Sequence, residues 1–297
     1  MNVALTGATG FIGSHILADL QEHGHQVTAL VRDASQADAV AEHGATGTVV
    51  DLYDRAGVVG VLRDSEAAIH TASPGDATSA DLDSAVVDAV LEAFAGSGRP
   101  FLEISGSWIY GANPSITEDS PIDAPPLVAW KEPIERRVLA AGDVRGVVIV
   151  SGVAYGDGGG AMPGVLLGSP RDDDGNLIMI GSGRQHWSTV HVEDLAEFFR
   201  LVLENESARG RYVIGNGLNH TVAEITEAAA VAVGAPGAVP GSDDEARARL
   251  GDYFAEVLLV DEATRAAKAR TELGWDPSRP GLVDEFRQGS YRNVAAA

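Results

Sequence analysis

No cysteine occurs in the 297 residues. That excludes a disulfide framework and thiolate catalysis, and it is the usage expected of a cytoplasmic protein. Lysine is almost as scarce, with Lys131 and Lys268 as its two occurrences. Asp and Glu number 43 against 21 Lys and Arg, for a formal charge of −22. Such a field repels nucleic acid and anionic membranes, so neither is expected as a partner. No apolar run approaches the roughly 20 residues that span a bilayer. The first apolar strand begins so early that no room is left for a signal peptide. No metal site is expected either. The run Asp172-Asp173-Asp174 lacks the spaced ligands and terminal Glu of a calcium loop.

What is present points to nucleotide chemistry. Val3-Ala4-Leu5 is an apolar strand that runs into Thr6-Gly7-Ala8-Thr9-Gly10-Phe11-Ile12-Gly13, and helical periodicity follows from Ser14. In this strand-to-helix setting, Gly7 permits the tight turn and Gly10 lets a pyrophosphate approach the backbone. Gly13 allows close packing of helix on strand, and the helix N-terminus offers free N–H groups to phosphate. Further strands are expected at Val27–Val31, Thr48–Val50, Ala67–His70, Phe101–Ser105 and Val147–Val150. Helices are expected at Ser14–Glu22, Ser35–His43, Leu82–Ala95 and Val128–Ala141. This alternation predicts an α/β fold, a Rossmann-type doubly wound parallel sheet. A smaller, mainly helical C-terminal substrate lobe follows, with helices near Val222–Val233 and Asp261–Leu273 and a mobile connection over Gly234–Asp244. Residues 1–160 would form the dinucleotide-binding domain, with 188–215 returning to it, and 161–187 with 216–297 the lobe.

Together these residues resemble the extended, epimerase/dehydratase-like branch of the short-chain dehydrogenase/reductases. The glycine loop matches that family's cofactor loop, Asp51-Leu52 its adenine contact, and Ile69-His70-Thr71-Ala72 its strand end beside the ribose. Ile104 to Gly111 stands at the serine-rich strand ending in Tyr-Gly, and Val190 to Ala196 and Leu273 to Pro277 match two later signatures. The resemblance implies a cofactor site of Thr6, Gly7, Thr9, Gly10, Phe11, Ile12, Arg32, Asp51, Leu52, Thr71, Ala72, Ser73 and Lys131. Where the family carries a ribose-binding Asp, this chain has Val31 followed by Arg32. An apolar residue cannot accept ribose hydrogen bonds, whereas a guanidinium can hold a 2′-phosphate, so the cofactor is read as NADP(H).

The family's catalytic Tyr-x-x-x-Lys pair is only half present: Lys131 matches the lysine, and the tyrosine position is Leu127. Leucine cannot move a proton. The family's hydrogen-bonding Ser or Thr falls on Gly106, flanked by Ser105 and Ser107, which would share one strand face. Tyr110, Tyr155, His186, Ser107 or a water held by Lys131 are the alternatives for proton transfer, and Lys131, Ser105, Ser107, Tyr110 and Tyr155 form the candidate catalytic set. Trp187 stands where sugar-nucleotide members carry an arginine. A small, partly apolar carbonyl or alcohol is therefore expected as substrate, in a pocket lined by Trp108, Leu127, His186 and Trp187. His191 and Asp194 read as structural. The activity implied is an NADP(H)-dependent oxidoreductase, in a monomer or homodimer. The alternatives are a non-catalytic NADP(H)-binding redox sensor or, disfavoured by Leu127 and Trp187, a nucleotide-sugar epimerase or dehydratase.

Overall fold

A computed structural model of the chain describes residues 1–294. It contains a seven-stranded parallel sheet made of β1 (Asn2–Thr6), β2 (Gln26–Val31), β3 (Thr46–Val49), β4 (Ala67–His70), β5 (Pro100–Gly106) and two later strands, Arg145–Ser151 and Gly210–Ile214. Across the sheet the order is Gly210–Ile214, Arg145–Ser151, β5, β4, β1, β2, β3. β1 pairs in parallel with β2 and with β4, which sets Thr6 level with Leu30 on one side and His70 on the other. Chain direction across the sheet reverses beside β1. Ligands of such sheets bind beyond the carboxyl ends of the strands at this switch point.

The first helices are α1 (Phe11–Glu22), α2 (Ala34–Glu42), α3 (Arg55–Arg63), α4 (Ser79–Phe94) and α5 (Lys131–Ala140). α1 buries Gly13, Ile16, Leu17 and Leu20, the spacing of one helical face. α3 was not expected from the sequence, because Gly57 and Gly60 obscure its periodicity. It forms because Val58, Val59 and Leu62 are buried together and the Asp54 carboxylate caps the Gly57 N–H at 3.2 Å. α5 begins at Lys131 rather than Val128. Residues 126–130 are a turn in which Val128 N–H bonds Pro125 O, so Leu127 precedes the helix instead of lying on it.

The chain divides into two compact units: 1–105, 130–149 and 195–212 in the first, and 106–129, 150–194 and 213 onward in the second. The expected cut after residue 160 is thus displaced. Residues 150–160 go with the second unit because Tyr155 Oη donates to Pro280 O at 2.8 Å and Gly156 N–H to Tyr291 Oη at 2.7 Å. The second unit has its own apolar core, with Tyr155, Leu177, Trp187, Ile225, Leu258 and Phe286 among its members. The helix expected over Asp261–Leu273 is a strand, Glu262–Thr264, followed by a helix, Ala267–Leu273. Pairing with Asn113–Ile116 claims the first segment, and Ala266 in the left-handed region (φ 49°) separates the two. Within Gly234–Asp244, Ala238–Val239 pairs with Leu177–Ile178, and Ser242 forms a capping box with Glu245. Among the described residues no helix is long and apolar enough to cross a membrane.

The glycine loop is set by two close approaches. Gly7 adopts φ +76°, and a Cβ at Gly13 would lie 2.1 Å from Gly7 O. Gly60, by contrast, lies exposed inside α3 with nothing within 4 Å of a built Cβ. Gly13→Ala should therefore lower Tm by roughly 3–10 °C, the effect of about 1–3 kcal/mol of overpacking. Gly60→Ala should raise Tm slightly, since alanine in a helix is worth up to about 1 kcal/mol over glycine. Thermal melts of the two variants check the opposite signs.

Candidate functional site

β1 ends at Thr6, the chain turns at Gly7, and α1 starts after Gly10, whose side-chain-free N-cap leaves the first helical N–H groups open. Beside this turn lies a cleft of about 670 Å³ in the first unit. It brings together Gly7, Thr9, Gly10, Arg32, Asp51, Leu52, Thr71, Ala72 and Ser73, nine of the residues named from the sequence as cofactor contacts, and adds Gln36, Tyr53 and Thr78. Phe11 and Ile12 open α1 and are half-buried. Thr6 lies beneath the cleft and is buried. Val31 is buried at the end of β2, and the exposed Arg32 follows it. Arg32 N–H bonds Gln36 Oε1 at 3.0 Å, while its guanidinium has no hydrogen-bond or ion-pair partner among the described residues.

Lys131 stands apart from this lining. Its Nζ donates to Asp83 Oδ2 at 2.5 Å, Glu103 Oε1 at 2.8 Å and Ile104 O at 2.7 Å. Burial alone would lower the lysine pKa, but the carboxylates of Glu103 and Asp83 outweigh it and push the ammonium above its ordinary value. Glu103 is fully buried, its Oε2 has no partner among the described residues, and burial raises its pKa. Burial also opposes ionisation of Asp83, yet its bond from His70 and the charge of Lys131 hold it below the usual carboxylate range. His70 completes the cluster, with Nε2 3.2 Å from Asp83 Oδ1 and Nδ1 2.6 Å from Thr6 Oγ1. His70, Asp83 and Glu103 would offer a metal three ligand atoms, but the lysine ammonium already provides the cation between the two acids. Asp83 and Glu103 were missed in the sequence. Each left a signal, an acid inside an apolar strand or on the apolar face of α4, which a fold tolerates only with a partner.

Ser105 and Ser107 do not share a face, because β5 ends at Gly106 and a 3-10 turn starts at Ser107. Ser105 Oγ donates to Glu135, whose other oxygen accepts from Arg211 Nε at 2.9 Å. Ser107 Oγ donates to Glu262 Oε1 at 2.7 Å. Tyr110 and Tyr155 are buried. Tyr155 Oη donates to Pro280 O and accepts from Asn216 Nδ2 at 3.1 Å, and burial pushes its pKa up. Trp187 is fully buried with its indole N–H on Leu258 O, so it packs in the second unit's core instead of lining an open pocket. Trp108 is half-buried against that core and Leu127 is exposed. Asp194 accepts from Ser278 and Arg279 N–H groups, and His191 stacks edge-on against Tyr155.

His186 is held differently. Its Nδ1 and its backbone N–H both reach Asp261 Oδ1 at 2.8 Å. Burial opposes ionisation of Asp261, but these two bonds outweigh it and lower the pKa. Asp261 was not visible as a partner in the sequence, 75 residues away.

Glu262 gives a pH-dependent readout. Burial, opposed by the hydrogen bonds from Ser107 and Ser188, raises its pKa from 4.5 to about 7. The folded state then holds the proton more tightly than the unfolded chain. That stabilisation is complete below the unfolded value and is lost as pH rises towards about 7. Between pH 4.5 and 7, wild type should lose on the order of 3 kcal/mol relative to Glu262→Gln. Paired melts across that range measure it.

Residues 3–215 match the model of the NAD dependent epimerase/dehydratase family. Over 304 residues the chain is 29% identical to an uncharacterized protein of Schizosaccharomyces pombe, with 98% of this chain and 100% of the relative covered. It is 28% identical over 316 residues to the 3-diazoavenalumate denitrifying reductase of a Streptomyces species, covering 96% of this chain and 98% of the other. Among solved structures, the human epimerase family protein SDR39U1 (isoform 2) with NADPH aligns at a TM-score of 0.74 and 23% identity, over 98% of this chain and 99% of that one. With the parallel sheet, the glycine loop and a family match over most of the chain, this protein belongs to the NAD dependent epimerase/dehydratase family.

Proposed function

We propose that the protein is an NADP(H)-dependent oxidoreductase acting on a small, partly apolar carbonyl or alcohol. One observation carries the cofactor choice: a guanidinium without a hydrogen-bond or ion-pair partner among the described residues, Arg32, in the same cleft as the glycine loop, directly after the buried Val31. The residues present suit the group. Open N–H groups at the start of α1 would take the pyrophosphate, Asp51 and Leu52 the adenine, and Arg32 the 2′-phosphate through charge-assisted bonds. The human relative bound to NADPH and the Streptomyces reductase support the same reading. The cofactor would supply hydride to the carbonyl carbon, and a proton must reach the carbonyl oxygen.

That proton cannot come from residue 127. Tyr110, Tyr155, His186, Ser107 or a bound water are the candidate donors, and among them the His186 ring is held by Asp261 Oδ1, 2.8 Å from Nδ1. A second reading, a redox sensor that binds NADP(H) without turnover, is favoured by Leu127 itself. A panel of carbonyl compounds followed by NADPH absorbance separates the two: consumption supports the enzyme, and tight binding without consumption supports the sensor.

Wild type should bind NADPH more tightly than NADH, and Arg32→Ala should erode that preference by roughly ten- to hundredfold, at about 1.4 kcal/mol per tenfold. Equal affinity in wild type would refute the cofactor assignment. Tyr110→Phe, Tyr155→Phe and His186→Ala are tested separately, and under the enzyme reading one of them should leave NADPH affinity intact and cut turnover by roughly 10²-fold or more, the usual cost of a lost general acid. Steady-state kinetics beside cofactor titration read both effects.

A further inference from the structure

An ammonium group has three N–H donors. In Lys131 all three are engaged, by Asp83 Oδ2, Glu103 Oε1 and Ile104 O. None is left for a cofactor hydroxyl, although the resemblance implied a cofactor contact for this residue. The same bonds lead instead to the wall of the cleft. Thr71 N–H and Ala72 N–H each lie 3.3 Å from Thr6 Oγ1, which accepts from them. The Thr6 hydroxyl proton is then free to go to His70 Nδ1, so His70 carries its own proton on Nε2 and donates it to Asp83 Oδ1. Asp83 receives Lys131 on its other oxygen. The chain of donors thus runs from the cleft wall to the ammonium without a break.

The wall in turn holds the glycine loop. Thr71 Oγ1 donates to Thr6 O at 2.8 Å. A Cβ built on Gly7 would meet Ala72 N at 2.7 Å and Thr71 Oγ1 at 2.8 Å. Any shift of Thr71 and Ala72 is therefore felt at the turn where a phosphate would sit.

Resting on the reading of the cleft as an NADP(H) site, we infer that Lys131 is a positioning residue: its ammonium neutralises the buried Asp83–Glu103 pair and, through Asp83, His70 and Thr6, fixes the Thr71–Ala72 wall against the glycine loop. Removing the lysine leaves Asp83 charged, buried and without its cation, a state that breaks or rearranges the network. Glu103 can relieve its own charge by taking a proton, as its burial already favours. Neutralising Asp83 alone should therefore compensate for loss of the lysine. A residue that bound the cofactor directly could not be rescued in this way.

The test compares wild type, Lys131→Met and the double variant Lys131→Met/Asp83→Asn. Dissociation constants are measured for NADPH and for adenosine 2′,5′-bisphosphate, which carries no nicotinamide ribose. We expect Lys131→Met to weaken both ligands by a similar factor, roughly tenfold or more, and the added Asp83→Asn to bring both back to within about threefold of wild type. Loss of NADPH binding with the bisphosphate unaffected would place Lys131 on the nicotinamide ribose and overturn the inference. So would a double variant as weak as the single one, or a single variant that binds as wild type does. If Lys131→Met does not fold, the double variant is set against wild type directly. Near-wild-type affinity supports the inference, while weak binding or failure to fold contradicts it. Should wild type bind neither ligand, the cofactor reading fails, and melting temperatures judge the network by whether Asp83→Asn recovers what Lys131→Met loses.

Discussion

The polar network beneath the glycine loop depends on one cation held between two buried acids. Lys131 stands at the first position of α5, and its ammonium bridges Asp83 of α4, Glu103 of β5 and the carbonyl of Ile104. Two carboxyl groups in an apolar interior would be prohibitively desolvated unless a counter-charge and hydrogen bonds compensated them. With the ammonium in place, β4, α4, β5 and α5 are tied at one point, and His70 carries that order on to Thr6 at the end of β1. The carboxyl ends of the central strands are thereby held by a polar network instead of by apolar packing alone. Such a network tolerates few geometries, and that is what a phosphate-binding turn requires.

Charge is distributed unevenly for a purpose that net charge conceals. A protein of formal charge −22 should repel a cofactor that itself carries several negative charges. Under the proposed reading the cleft answers this locally, because the open start of α1 and Arg32, which has no hydrogen-bond or ion-pair partner among the described residues, present positive potential where phosphate would lie. The lysine that might have added to that potential is neutralised by two acids instead. Under the proposed reading, cofactor selectivity rests on an arginine without a hydrogen-bond or ion-pair partner among the described residues, and the order of the cleft wall on a lysine whose three donors are all engaged.

Much of this was legible in the sequence where local rules decide the outcome. The glycine loop and the alternation of strands and helices follow from short-range spacing, the family resemblance implied the contacts from Arg32 to Ser73, and the structure brings nine of the named residues to one cleft. Long-range partners were not legible. Nothing near Lys131 in the chain announces Asp83, 48 residues away, and nothing near Ser107 announces Glu262, 155 residues away. Trp187 read as a pocket wall because tryptophans commonly line pockets, yet a distant carbonyl, Leu258 O, takes its indole N–H and draws it into the core. The segment 262–264 read as helix because pairing with Asn113–Ile116, which decides its conformation, is invisible locally. Acids on apolar faces, as at Asp83 and Glu103, were the one long-range feature with a local sign.

The most direct measurement is a crystal structure of the protein with NADPH. The account predicts the 2′-phosphate within hydrogen-bonding distance of the Arg32 guanidinium, the pyrophosphate at the start of α1, and Lys131 Nζ still on Asp83 and Glu103. A structure in which Lys131 Nζ has left both carboxylates for the nicotinamide ribose, or in which the 2′-phosphate lies away from Arg32, would contradict it.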